Sequence, residues 1–431
     1  DRADLYREKL RPQFHFTSRR GWLNDPNGLV WLDGEYHLFY QHNPYGWEWG
    51  NMHWGHAVSP DLFHWTELPD ALTPRTYGDF CFSGSAVVDQ SNTSGFGQGG
   101  LPPLVAAYTS TGRGECIIFS NDRGRTWTEF TGNPVIKHPG RDPRLLWHEP
   151  TRRWIMAVYD EANGHRVIAF HSSPDLKTWT YESQIDGFFE CPDLFEIRNA
   201  AEPGKSAWVL YAADGEYVLG EFDGHRFVPR TKKQRLWYGD FYAAQTFSNA
   251  PDGRRIQIGW ARIDFPGMPF NQQMTLPCEL TLNHTAEGDR LFAMPVAEPK
   301  SLRFGLIHPD LKTVDGKPTV IRGIGELLKI DAEFQVGPTG SFSLAVRGVP
   351  ITYDAAKATL SCGGVTAPLV PTEGKIKIQA LLDRGSVEVF GNDGRVAISR
   401  GARPTGNELS VTVKDAKVLK CDVHELASSW R

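Results

Sequence analysis

Short apolar runs of strand length, separated by turn-forming residues, fill the first two thirds of this chain. Tyr36-His37-Leu38-Phe39-Tyr40, Leu104-Val105-Ala106-Ala107-Tyr108, Trp154-Ile155-Met156-Ala157-Val158-Tyr159 and Ile256-Gln257-Ile258-Gly259-Trp260 are rich in aromatic and β-branched residues. No long amphipathic helical pattern interrupts them. A box punctuates the runs: Ser59-Pro60-Asp61-Leu62-Phe63-His64-Trp65 returns as Ser173-Pro174-Asp175-Leu176-Lys177-Thr178-Trp179. Ser120-Asn121-Asp122-Arg123-Gly124-Arg125-Thr126-Trp127 lies between them, and Glu221–Phe227 is a degenerate fourth turn. A serine or aspartate that closes a turn, followed by an anchoring Trp, ties a hairpin end into a propeller blade. The stretch from roughly 10 to 295 therefore predicts a propeller of about five four-stranded blades.

Beyond residue 300 the pattern becomes strict alternation. Ile330, Ala332, Phe334 and Val336 alternate with polar positions, as do Phe342, Leu344 and Val346, then Ile376 and Ile378, then Val387 and Val389. Asn392-Asp393-Gly394 turns the chain before Val396 and Ile398. One buried and one solvated face per strand describes a β-sandwich. The expected fold is all-β: a five-bladed β-propeller over residues 1–300, then a C-terminal β-sandwich over 308–431. The Pro-rich segment Met294-Pro295-Val296-Ala297-Glu298-Pro299 marks the joint.

Composition narrows the function classes. With 46 basic against 51 acidic side chains there is no electrostatic case for nucleic acid or an anionic membrane as partner, and no apolar run reaches the length of a membrane span. Six scattered cysteines form no Cys-x-x-Cys pair, which argues against a zinc site or a disulfide scaffold. His53-Trp54-Gly55-His56 has no acidic or thiol ligand beside it, so neither a metal nor a cofactor is expected. Aromatic residues are the anomaly. Trp22, Trp31, Trp47, Trp49, Trp54 and Trp65 crowd into the first 65 residues. Aromatic faces pack cores, and they also stack on the C–H faces of sugars.

Three acids lie in proline-locked segments: Asn24-Asp25-Pro26-Asn27-Gly28, Arg141-Asp142-Pro143 and Glu190-Cys191-Pro192. Each alone reads as a turn. A residue before proline is pushed towards extended geometry, so three such acids together suggest carboxylates held for chemistry. Two converging carboxylates are the working parts of glycoside hydrolysis, and a third can steady developing positive charge. The amides of Asn24 and Asn27 should favour an ionised Asp25, Phe188-Phe189 should give Glu190 an apolar setting, and Arg141 should keep Asp142 charged.

Trp22-Leu23-Asn24-Asp25-Pro26-Asn27-Gly28, Phe82-Ser83-Gly84-Ser85, Arg141-Asp142-Pro143 and Glu190-Cys191-Pro192 resemble, in order and spacing, the signature blocks of glycoside hydrolase family 32, the invertases, inulinases and levanases. The likeness continues through Tyr242-Ala243-Ala244-Gln245 and Ile258-Gly259-Trp260 to Asp383-Arg384-Gly385-Ser386-Val387-Glu388-Val389-Phe390. It implies Asp25 as nucleophile, Glu190 as general acid/base and Asp142 as transition-state stabiliser. It further implies Trp22, Asn24, Gln41, Trp49, Trp54, Phe82, Ser83, Arg141 and Trp260 as sugar-binding residues, and Asp240 is an additional acid near the cleft. Pro299, where the family has leucine, implies a linker helix that starts late.

The expected activity is exo-acting release of β-fructosyl units from levan or inulin, and from sucrose. The runner-up is an invertase preferring sucrose, or a fructosyltransferase. The alternative of another class is a sugar-binding propeller without catalysis, against which the three intact acids argue. The expected partner is a fructan or sucrose substrate, the expected state a monomer, and the expected location secreted or periplasmic with any leader removed.

Overall fold

The computed structural model describes residues 5–161, 164–202, 204–297, 302–309, 311 and 314–430. Five antiparallel sheets follow one another along the chain. Blade I comprises Gly21–Leu32, Glu35–Asn43, His53–Ser59 and Thr66–Leu72. Blade II comprises Cys81–Val88, Leu104–Ser110, Gly114–Ser120 and Thr128–Glu129. Blade III comprises Arg141–His148, Arg153–Asp160, Val167–Ser173 and Thr180–Asp186. Blade IV is built on Asp193–Arg198, Ser206–Tyr211, Glu216–Phe222 and Phe227–Pro229, and blade V on Tyr242–Thr246, Arg255–Ala261, Cys278–Thr285 and Gly288–Pro295. The first strands touch one another in a closed ring, so they line the axis.

Burial explains why the sequence shows apolar runs here and not alternation. His53–Ser59, Leu104–Ser110 and Val167–Ser173 are buried at every position because neighbouring blades cover both faces. The outer strands Thr66–Leu72 and Thr180–Asp186 face solvent. The repeated boxes close the turn after the third strand of blades I to III. Asp61 accepts the amides of Phe63 and His64, Asp175 those of Lys177 and Thr178, and Asp122 that of Thr126. Asp223 does the same in blade IV with His225 and Arg226.

The ring closes by a parallel pairing of Phe270–Asn271 with Gly21–Trp22, reinforced where Trp31 N–H donates to the Ser248 carbonyl.

Two 19-residue strands, Leu328–Val346 and Glu408–Leu426, organise the C-terminal β-sandwich. They run antiparallel with bulges between Glu333 and Phe334 and between Val336 and Ser341, which carry them from one layer to the other. Leu328–Gln335 then continues the sheet through Lys375–Leu382, Ser386–Gly391 and Val396–Gly401, while Ser341–Val346 continues it through Val349–Asp354 and Thr359–Cys362. The propeller segment Trp237–Gly239 adds in parallel to Val396–Gly401. Asp383, fully buried, accepts the amides of Gln13, Phe14, His15 and Arg384 and meets the His15 ring at 2.9 Å. Glu298 and Pro299, on which the joint and linker readings rest, lie outside the described residues.

Candidate active site

Irregular pairing, repeated from blade to blade, builds the site. Near the start of the first strand in blades I, II, III and V, extra residues interrupt the ladder: Asn24 and Asp25 opposite Gln41, Ser83, Asp142 and Pro143 opposite Val158, and Ala243 and Ala244 opposite Gly259. A bulge re-aims the side chain it carries. All four lie at the same end of the axis, where the first strands begin, and Glu190-Cys191 enters there from the turn before Asp193–Arg198.

The backbone of two of the proline-locked segments departs from the extended geometry expected. Asp142 has φ +69° and Cys191 φ +44°, and Glu190 beside it has φ +34°. Pre-proline sterics disfavour the right-handed helical region, and these residues take the left-handed one, a strained choice that clusters where surroundings over-determine it. The surroundings are specific. The amide of Asp142 donates to Thr109 Oγ1 at 3.0 Å, and the amide of Cys191 donates to Asp142 Oδ2 at 3.0 Å.

The three acids share this small space. The Cys191 thiol sits 3.5 Å from Asp25 Oδ2 and 3.4 Å from Asp142 Oδ2. Ser83 Oγ donates to Asp25 Oδ2 at 2.6 Å, and Asn24 Nδ2 to Asp25 Oδ1 at 3.1 Å. Arg141 donates through Nε and Nη2 to Glu190 Oε2 at 3.1 and 2.8 Å, and the Tyr242 hydroxyl donates to Glu190 Oε1 at 2.6 Å. Glu190 is thus held by polar donors on both oxygens, not in the apolar setting that Phe188-Phe189 suggested.

Crowding sets the electrostatics. Burial pushes Asp25 above the usual carboxylate range despite the hydrogen bonds from Ser83 and Asn24. Asn27 lends it no donor, its amide facing Ser83 and Gln41 instead. Burial, then the charges of Asp25 and Glu190, pushes Asp142 up to about 8. Arg141 does not keep Asp142 charged, because its Nε is 3.8 Å from Asp142 Oδ2 and its hydrogen bonds go to Glu190. Burial and the neighbouring acids push the Cys191 thiol well up, so it stays a neutral donor. Carboxylates this close titrate as a unit, and the cluster retains a proton near neutral pH.

Aromatic side chains surround the acids. Trp49 is 53% exposed and packs its edge on Phe82. Trp22 and Trp260 meet edge to face, with Trp22 Nε1 donating to Asn24 Oδ1 and Trp260 Nε1 to Gln272 Oε1. Three expected binding residues are committed to partners within the protein. Trp54 is fully buried, donating to the Phe82 carbonyl from the core between blades I and II. Gln41 is buried behind the Asp25 bulge and donates to the Cys81 carbonyl. Asp240 is engaged by the sandwich: Arg400 Nη1 donates to both its oxygens and the Gly401 amide to Oδ2.

Tyr242, Cys191 and Thr109 were missed as site residues. The first two lie inside quoted motifs and could have been read as donors to the acids, whereas nothing local marks Thr109. Among the described residues no group of three or more His, Cys, Asp or Glu is placed to hold a metal ion.

Comparison with known proteins gives the site its family context. The model for the glycosyl hydrolases family 32 N-terminal domain matches residues 15–295, and that for the glycosyl hydrolases family 32 C terminal matches residues 309–425. The levanase of Bacillus subtilis (strain 168) is 40% identical over 496 residues, covering 100% of this chain and 72% of that protein. The extracellular exo-inulinase of Aspergillus awamori is 31% identical over 519 residues, covering 99% of this chain and 96% of that protein. The crystal structure of exo-inulinase from Aspergillus awamori matches with a TM-score of 0.88 at 29% identity, covering 99% of this chain and 100% of that one.

Proposed function

This chain belongs to family 32 of the glycosyl hydrolases, and we propose that Asp25, Glu190 and Asp142 perform a retaining release of terminal β-D-fructofuranosyl units through a covalent fructosyl-enzyme. The enzyme is a β-fructosidase of fructans and sucrose. The observation that carries the division of roles is the contrast between the acids: Asp25 and Asp142 face one neutral thiol, while Glu190 alone is oriented by a guanidinium and a phenol.

In this reading the carboxylate of Asp25 attacks the anomeric carbon while the proton held by the cluster passes from Glu190 to the leaving oxygen. Arg141 and Tyr242 hold the Glu190 carboxylate left behind. Glu190 then takes a proton from the attacking water, which cleaves the Asp25 ester and restores the starting state. Asp142, fixed by the Cys191 amide, holds ring hydroxyls whose hydrogen bonds strengthen as oxocarbenium character develops. Trp22, Trp49, Phe82 and Trp260 would form the walls of the sugar site.

The catalytic propeller is assigned to residues 1–300 and a supporting sandwich to 308–431. A secreted or periplasmic enzyme acting on polymer outside the cytoplasm is consistent with relatives named as extracellular. Among the described residues no helix is long and apolar enough to cross a membrane. Separate incubation with sucrose, inulin and levan, followed by chromatography of the products, tests the reading. Free fructose alone from the polymers is expected. A ladder of oligomers would replace exo- by endo-action, and no release from any of the three would refute the assignment.

A further inference from the structure

A cavity of about 450 Å³ opens at the other end of the propeller axis, within the roughly 300–1,000 Å³ of small-ligand sites. None of the three acids lines it. Its walls include Leu146, Trp147 and His148 at the far end of the first strand of blade III and Leu194 to Glu196 of the first strand of blade IV. Trp147 lies five residues beyond Asp142 on the same strand, or about 17 Å at strand rise. Buried Arg144 stands between the two ends. Its Nε pairs with Asp193 Oδ1 at 2.8 Å and its Nη groups donate to Thr246, so the axis is plugged there.

Most polar groups in the lining are committed. Asp89 accepts the amides and hydroxyls of Thr93 and Ser94, Glu149 accepts Trp147 Nε1, and Thr93 Oγ1 accepts Trp154 Nε1. Two features remain open. Trp147 and Trp208 are only half-buried although both line the cavity. Arg255, also half-buried, uses Nε on the Glu196 carbonyl and, among the described residues, makes no ion pair, which leaves its terminal N–H donors free. Indole faces beside a guanidinium match a neutral polyhydroxy ligand: the rings stack on C–H faces and the fork donates to hydroxyls. Exposed Glu149 and Glu196 in the lining oppose an anion and offer acceptors to a polyol.

We propose that this cavity is a second carbohydrate-binding site, taking a short fructosyl segment of the polymer on the propeller face opposite the catalytic end. The identity of the sugar rests on the β-fructosidase reading, whereas the site itself rests on the cavity. Polymer held there keeps the enzyme on the fructan between turnovers while another chain end enters the catalytic mouth.

Calorimetric titration of the full chain carrying Asp25→Ala with an inulin-type trisaccharide tests it. Two classes of site are expected, falling to one when Trp208→Ala or Arg255→Gln is added. In the active enzyme the same two substitutions should leave sucrose kcat/KM within about twofold, which reports an intact fold, and raise the KM for polymer about tenfold, the scale for truncating an aromatic or arginine anchor. One class of site in Asp25→Ala, or two classes surviving both added substitutions, would overturn the proposal. So would displacement of the second class by inorganic phosphate, which would make it an anion site. A wild-type chain inactive on sucrose and fructans would instead defeat the functional reading, independently of the number of binding classes.

Discussion

Removing the Ser83 hydroxyl isolates one hydrogen bond to the proposed nucleophile. Ser83 Oγ donates to Asp25 Oδ2 at 2.6 Å, whereas Asn24 serves the other oxygen at 3.1 Å and the Cys191 thiol approaches Oδ2 only to 3.5 Å. Ser83→Ala therefore strips Oδ2 of its short donor. Hydrogen bonds to ionised groups contribute roughly 1.5–3 kcal/mol, equivalent to about 10- to 150-fold in rate where the charge must be present. Burial already holds Asp25 above the usual range, and losing a donor raises it further. The acid limb of kcat/KM should move to higher pH, with the deficit largest at the acidic end and smallest on the plateau. The assay is kcat/KM for sucrose from about pH 4 to about pH 8, with the melting temperature as a folding control. A deficit equal at every pH, with the acid limb unmoved, would refute the argument that Ser83 acts by stabilising the Asp25 carboxylate.

Asp25→Ala should abolish turnover on every substrate, while Glu190→Ala should be severe on sucrose, by roughly 10²–10⁴-fold, and mild on an activated aryl fructoside. Azide should partly restore Glu190→Ala with retention of the β configuration, and rescue of Asp25→Ala but not Glu190→Ala on the activated substrate would exchange the two roles. Asp142→Asn should lower kcat far more than it raises KM; a pure KM effect would contradict its transition-state role. Burial alone would push His15 down, but the carboxylates beside it, Asp383 hydrogen-bonded at 2.9 Å and Glu388 at 3.7 Å, lift it to about 9. Its contribution to stability, on the order of 3 kcal/mol, is thus complete below about pH 6.5 and lost as pH rises through about 9. Melting temperature should fall across that window, and His15→Gln should flatten the fall; a variant with the wild-type alkaline profile would exclude His15 as its source.

Strands and turn boxes were legible because their chemistry is local: an Asp that accepts amides two to four residues on needs no distant partner. The acids were legible through their prolines, although the strain at Asp142 lies in the left-handed region. What holds the acids was not legible. Thr109 meets Asp142, and Arg141 meets Glu190, across sequence separations of 33 and 49 residues, through bulges that exist only once two strands pair. Residue type likewise could not separate Trp54, fully buried, from Trp49, half exposed. Nor could it reveal that Arg400, 160 residues away, takes up Asp240.

The closure of the ring on the strand that bears Asp25 has a consequence for the growing polypeptide. Gly21–Trp22 waits for Phe270–Asn271, and Gln13 waits for Asp383, 370 residues later. A nascent chain emerging N-terminus first carries all three acids before the residues that close the ring have been made. Closure of the ring therefore waits until well over half of the chain has been made.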